Sequence, residues 1–341
     1  MNGAARFARR IAPQLAILAA ILVLISIVFP GFFEVRIANG RLYGSPIDIL
    51  NRGAPVALLA IGMTLVIATR GIDLSVGAVM AICGATAAWG STEGYALPAT
   101  LALSIAAGLA CGLWNGFLVA VLRIQPIVAT LILMVAGRGI AQLITEGAIL
   151  TFNQEGLIFI GSGSILTVPT PVIIWMIAGL LFTLVVRWTA LGMLIEAIGV
   201  NLRASTLAGV NSRVLLIAVY MASGLCASFA GIIAAADIRG ADANNAGLWL
   251  ELDAILAVVI GGTSLLGGRF SILASLIGAL IIQAMNTGIL LSGFPPEFNL
   301  IIKALIVLTI LVLQSPATRT AAIFFRRQPG TDPADTRTVT P

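Results

Sequence analysis

Three carboxylates stand where an apolar chain tolerates them least. Asp73 heads the run "LSVGAV", and Glu251 and Asp253 stand at the start of "AILAVV". A carboxylate deep in a bilayer is costly and marks an ion or solute pathway. At the edge of a bilayer it does milder work, because a helix N-terminus favours negative charge. Capping is the reading favoured for these acids, with a pathway role as the alternative. Asn115, Gln125, Gln142, Gln283 and Asn286 add neutral hydrogen-bonding groups to otherwise apolar runs. Such groups line a path for a polyhydroxylated solute or bridge neighbouring helices. Asp73, Asn115, Asp253, Gln283 and Asn286 form the candidate pathway set. Arg138 and Lys303 also fall inside apolar runs, with no partner named by the sequence.

Other chemistries are poorly represented. The chain has no histidine, which removes the commonest metal ligand and acid–base group. Cys83, Cys111 and Cys226 sit inside apolar runs without metal-ligand spacing or a disulfide framework. The lone lysine, Lys303, precedes Ala304, so no GxxxxGK[ST] phosphate loop exists. "GGTSLLGGR" at 261–269 lacks that lysine and reads as a tight turn. No nucleophile–base pair is evident, so a membrane enzyme ranks last among the readings. The chain is expected to carry no cofactor and no catalytic or metal site.

The elements that must position these residues follow from composition. Of 341 residues, 59% are hydrophobic and only 10% charged, against about 25% charged in a soluble domain. Mean hydropathy is +1.08. An all-α integral membrane protein is expected, since helices satisfy their own backbone in lipid. The pI near 9.7 comes from arginines at segment ends, a topology signal with no implication of nucleic acid. About 20 apolar residues span a bilayer. Ten stretches qualify: 11–30, 53–69, 74–90, 96–122, 126–145, 168–186, 214–236, 252–268, 270–291 and 299–315. The first follows "RFARR" but lacks a small-x-small cleavage site at its exit, so an uncleaved helix is expected.

With both termini cytoplasmic, only Arg36, Arg41, Arg52 and Arg239 fall outside, as the positive-inside rule prefers. The expected organisation is a transmembrane domain over 1–316 and a polar, disordered tail over 317–341. "GIDLSVGAVMAICG" and "LELDAILAVVIGG" suggest a repeat, as do the surroundings of Asn115 and Asn286. Two five-helix halves would then be inverted, a common transporter architecture.

Two stretches are more polar than a permeation barrier needs. Between the sixth and seventh spans, 187–213 places Leu191, Leu194 and Ile195 at helical spacing, with Glu196 and Arg203 between apolar positions. Gly199 is expected to end one short helix, Asn201 to cap a second and Gly209 to stop it. On the other side, 236–255 gathers Arg239, Asp242, Asn244 and Asn245 ahead of Trp249. It reads either as a solvent-facing connection or as a docking surface for an external protein.

The motifs "LLAIGMTLVIATRGIDLSVGAVMAICGA", "GLWNGFLVAVLRIQPIVATLILM", "TALGMLIEAIGVNLRASTLAGVN" and "ALIIQAMNTGILLSGFPPEFN" carry a family resemblance. So does the long motif from "SGLCASFAG" through "GGTSLLGGRF". The chain resembles the permease subunits of bacterial sugar ABC importers of the ribose/xylose/galactose type. Within them it looks most like the galactofuranose permeases. The resemblance implies import of a monosaccharide across the inner membrane by a pore of two permease subunits, identical or homologous. It also implies a separate ATPase carrying ATP and Mg, and a periplasmic binding protein. It makes Ala190–Asn211 the ATPase-coupling loop, with Glu196, Gly199, Asn201 and Gly209 at the motif's fixed positions. The family's usual Gly-Gly-Ile-Asp is departed from at Arg70, which is expected to face the cytoplasm. An ion-coupled secondary transporter of a small polar solute is the alternative.

Overall fold

The computed structural model describes residues 3–38 and 40–293, with 300–301, 304–305 and 308–309. Lys303, most of the tenth expected span and the tail over 317–341 lie outside the described residues. In chain order the elements are α1 (Gly3–Val28), β1 (Arg36–Ala38), β2 (Arg41–Tyr43), α2 (Ser45–Arg52), α3 (Ala54–Ala68), α4 (Val76–Thr92), α5 (Leu97–Ala120) and α6 (Pro126–Ile144). There follow β3 (Leu150–Thr151), α7 (Glu155–Ser162), β4 (Ser164–Ile165), β5 (Val168–Pro169), α8 (Thr170–Trp188), α9 (Leu191–Val200) and α10 (Leu202–Leu207). The unit closes with α11 (Ser212–Ile238), β6 (Gly240–Ala241), α12 (Leu250–Ile260) and α13 (Ile272–Leu291). Residues 294–341 form a separate unit.

Among the described residues, six helices are long and apolar enough to cross a membrane: α1 from Ile11, α5, α6, α8, α11 and α13. The bent pair α2–α3, with 44° between its helices, would make a seventh. Two of the ten expected spans, 74–90 and 252–268, correspond to shorter helices of 17 and 11 residues. The expected span 252–268 stops at Ile260, because Gly262, Gly267 and Gly268 all take positive φ and cannot continue a helix. The remaining helix of 11 residues is about 16 Å long, roughly half a bilayer.

Helix α11 is the hub. Helices α3, α4, α5 and α7 all pack on it. The reason is a set of small residues. A Cβ on Gly108 would collide with Ser228 Oγ and Gly224 O, one on Gly112 with Tyr220 O, and one on Gly116 with Ile217 Cα. The four-residue glycine ladder of α5 thus seats that helix directly on α11. Gly224 answers it from α11, meeting Gly108 O, and Gly231 of α11 meets Met80 O of α4. Helix α4 packs on a further face of α11, α3 closes against Ser223 through Gly62, and α12 meets α13 where Gly278 admits Ala257 O. The outward faces of α5, α6 and α8 carry exposed Leu103, Leu131, Ile132, Leu180 and Leu181, as lipid contact requires.

A buried polar junction and an exposed helical hairpin

Between α3 and α4 the chain leaves regular structure over residues 71–73 and turns at 74–75, with Ser75 already in the helical region. Ser223, which meets Asp73, lies eleven residues into α11, roughly 16 Å along it. Irregular backbone at that depth needs partners. Thr130 of α6 supplies two of them. Its hydroxyl accepts from Leu74 N at 3.1 Å and donates to Ile72 O at 3.2 Å. Asp73 supplies others. Its Oδ1 accepts from Ser75 N at 3.0 Å and Ser75 Oγ at 2.6 Å, and its Oδ2 from Ser223 Oγ at 2.8 Å. Asn115 Nδ2 donates to Ser75 Oγ at 2.8 Å.

Asp73 and Asn115 are 3% and 1% exposed, and the junction leaves no room for a water between them. Both make hydrogen bonds that brace the turn ahead of α4. Asp73 organises the turn ahead of α4, which begins with Ser75 as its cap residue. Thr130, Ser75 and Ser223 were missed by the sequence reading, since small hydroxyls in apolar runs give no periodic signal.

The rest of the candidate pathway set lies elsewhere. Asp253 is buried in the first turn of α12 beside Glu251. Gln283 and Asn286 lie on α13, where Gln283 packs against Gly53 and Asn286 Oδ1 is buried without a hydrogen-bond partner. The two stretches suspected of repeating do meet. A Cβ on Gly77, at the head of α4, would strike Gly247 O and Glu251 Oε2, at the head of α12.

That contact corrects the view of 236–255 as a plain exposed loop. After Arg239 ends α11 in the left-handed region, β6 pairs with β3, and the chain turns inward with Ala241 and Ala243 buried. Arg138 finds its partners here: its Nη1 donates to Ala243 O and Ala246 O. Gln142 Nε2 donates to Asn244 Oδ1 at 2.7 Å. Asp242 folds the turn by accepting from Asn244 N, Asn245 N and Asn245 Nδ2. The Asn245 side chain and backbone hold the Asp242 carboxyl below its ordinary range.

At the opposite end of α11 stand α9 and α10. Asn201 separates them in extended conformation, and its Oδ1 accepts from Ala204 N at 3.0 Å, a side-chain cap. Gly209, at φ +88, ends the turn after α10. Gly199 does not end α9, which continues to Val200. Its glycine is required by contact: a Cβ there would collide with Ala68 O, and would lie 2.6 Å from Gly268 N.

Arg70 completes the joint. With φ +65 it ends α3, sends Nε to Leu266 O at 2.9 Å and sends Nη2 to Val200 O at 2.6 Å. Gly268 N also donates to Ala68 O at 2.9 Å. One arginine thus ties α3, α9 and the turn after α12. Ile195 is buried inward, while Glu196 and Leu194 are half-buried. Leu191, Met193, Val200 and Leu202 are exposed, and Leu207 is 84% exposed; Arg203 is exposed as well.

A lipid-facing helical shell, a closed polar junction and a pair of short helices held off one end are the build of a membrane permease. Among the described residues no cluster of histidine, cysteine or acid could hold a metal. The family model for "Branched-chain amino acid transport system / permease component" matches residues 45–311, and the chain belongs to that family. It is 66% identical over 303 residues to the galactofuranose transporter permease protein YtfT of Escherichia coli K12, covering 89% of each chain. It is 42% identical over 300 residues to the ribose import permease protein RbsC of the same strain, covering 85% of this chain and 90% of that one. It is 41% identical over 315 residues to the fructose import permease protein FruF of Bifidobacterium longum, covering 90% and 88%.

Proposed function

We propose that the chain is the pore-forming permease of a sugar ABC importer, with galactofuranose or a similar monosaccharide as cargo. The 66% identity to a galactofuranose permease supports the sugar, and the ribose and fructose relatives support the class. A separate ATPase carries ATP and Mg, a periplasmic binding protein delivers the sugar, and a second permease subunit, identical or homologous, completes the pore. The membrane is the bacterial inner membrane, with both termini cytoplasmic and two inverted halves of five helices each. The meeting of the α4 and α12 heads supports that inversion, because related elements approach each other near a pseudo-two-fold axis.

The observation that carries the mechanism is the exposed hairpin α9–α10, clamped to the core at its root. Its exposed apolar residues need cover that lipid does not give to the polar face around Asn201 and Arg203. The ATPase docks there. Movement of α9 on ATP binding reaches α3 through Gly199 against Ala68 and through Arg70, and reaches α12–α13 through the 261–271 turn. The 239–246 turn at the far end of α11, with Arg239, Asp242, Asn244 and Asn245, receives the binding protein.

The test is uptake of labelled galactofuranose into proteoliposomes holding the permease, its ATPase and the binding protein. Uptake is expected only with ATP and both partners. Uptake driven by a proton or sodium gradient without ATP would replace this reading with a secondary transporter.

A further inference from the structure

A cleft of about 550 Å³ lies at the far end, but the larger opening, of about 1070 Å³, lies beside the hairpin. It is bounded by the end of α3, the α5–α6 turn, α10 and the start of α11. Arg70, Arg123, Arg203 and Arg213 all line it, and no aspartate or glutamate does among the described residues. A wall of one charge sign concentrates anions.

The placement of these arginines is more telling than their number. Arg213 stands in the first turn of α11 and Arg203 in the first turn of α10, where the helix dipole disfavours a cation. Arg123 is fixed at φ +55 beyond the end of α5, with Ile124 N bonded back to Leu118 O. On the same wall Thr206 Oγ donates to Leu202 O at 2.9 Å and lies 3.2 Å from Ser212 Oγ, whose hydroxyl is the one left to turn toward a ligand. At the floor is Tyr220. It is fully buried, its hydroxyl has no hydrogen-bond partner, and a glycine, Gly71, lies over it. Asp73 lies near that hydroxyl, and its Oδ1 accepts from Ser75 and its Oδ2 from Ser223.

We propose that this cleft binds a phosphoryl group, borne either by a phosphorylated sugar or by an anionic phospholipid headgroup. Guanidinium groups match phosphate oxygens in paired hydrogen bonds, and hydroxyl donors complete the shell. A bound phosphoryl group would bridge α10 to the α5–α6 turn and so bias the position of the docking hairpin. That regulatory consequence rests on the importer reading above. The binding itself does not, so the two can fail separately.

The full-length permease is placed in nanodiscs of phosphatidylcholine alone and titrated with glucose 6-phosphate, with glucose as control. In a second arm, permease extracted from native membrane is examined by native mass spectrometry for retained phosphatidylglycerol. Saturable binding of glucose 6-phosphate but not glucose, weakened about tenfold or more in Arg123→Gln/Arg213→Gln, assigns a soluble phosphate ester. Retained phosphatidylglycerol that is lost from the same variant assigns a lipid headgroup. Unchanged thermal midpoints show that the variants fold, and Arg123→Gln alone serves if the double variant does not. Binding in neither arm, or binding unaffected by the variants, overturns the proposal. So does a double variant that loses only its ATPase in pull-down, which would give the cleft to an acidic partner.

Discussion

The buried junction around Asp73 and the hairpin α9–α10 place polar and apolar groups in opposite ways. At the junction, polar atoms are hidden and mostly bonded to one another: Asp73, Ser75, Ser223 and Asn115 Nδ2 form one hydrogen-bonded group, and Asn115 Oδ1 is buried without a partner. At the hairpin, apolar side chains are displayed, with Leu207 84% and Met193 69% exposed. Hidden polar groups with their hydrogen bonds satisfied stabilise a fold. Displayed apolar groups on a capped, clamped element wait for a partner. A polar residue in an oily chain is therefore a weaker sign of function here than an oily residue displayed on a short helix clamped at its root.

This contrast can be broken most forcefully at Asp73. In Asp73→Ala, Ser75 N and Ser223 Oγ lose their buried acceptor, at about 1–3 kcal/mol for each group left unpaired. Most of the folded yield is expected to be lost, as read by monodisperse protein after extraction. Asp73→Asn should fold better and transport with unchanged KM for sugar. A raised KM in that folded variant would return Asp73 to the pathway.

Leu207→Asp comes next. Its cost to the permease should be within about 0.5 kcal/mol, since the side chain is exposed. Its cost to ATPase binding should be about 2 kcal/mol, if Leu207 is a central anchor. Thermal unfolding and co-purification separate the two. Arg70→Gln should leave the ATPase bound and hydrolysing while uptake falls about tenfold, because two hydrogen bonds of a charged donor are lost at the joint. Asn201→Ala removes a cap worth about 1 kcal/mol and should weaken ATPase binding roughly fivefold.

The smallest effect is expected at the far turn. The folded Asp242 carboxyl is held below its ordinary value of 3.8, first by the Asn245 side chain. Its stabilisation is therefore fully present above that ordinary value and is lost as pH falls through the depressed one. Binding-protein affinity should be flat in this respect from neutral pH to about 4. An Asp242-dependent fall in affinity between pH 7 and 5 would contradict the assignment.

Much of this was legible in the sequence. The membrane class follows from a 10% charged content, and the two short helices follow from spacing and from Asn201, whose side chain caps as expected. Depth was not legible. Hydropathy counts apolar residues along the chain, so 252–268 reads as one span although Gly262 and Gly267 turn it at positive φ. The inward fold of 241–247 was hidden because Gly77 and Gly247 reveal their contact only when paired across the structure. Gly199 reads as a helix stop in sequence, while its real constraint is Ala68 O from a distant helix.

The most direct test of the contrast is a photo-crosslinking amino acid placed at residue 207, and separately at residue 244, in the assembled importer. The account predicts that position 207 captures the ATPase and position 244 captures the binding protein. Capture of the ATPase at 244, or of no ATPase at 207 in a transport-competent complex, would contradict it.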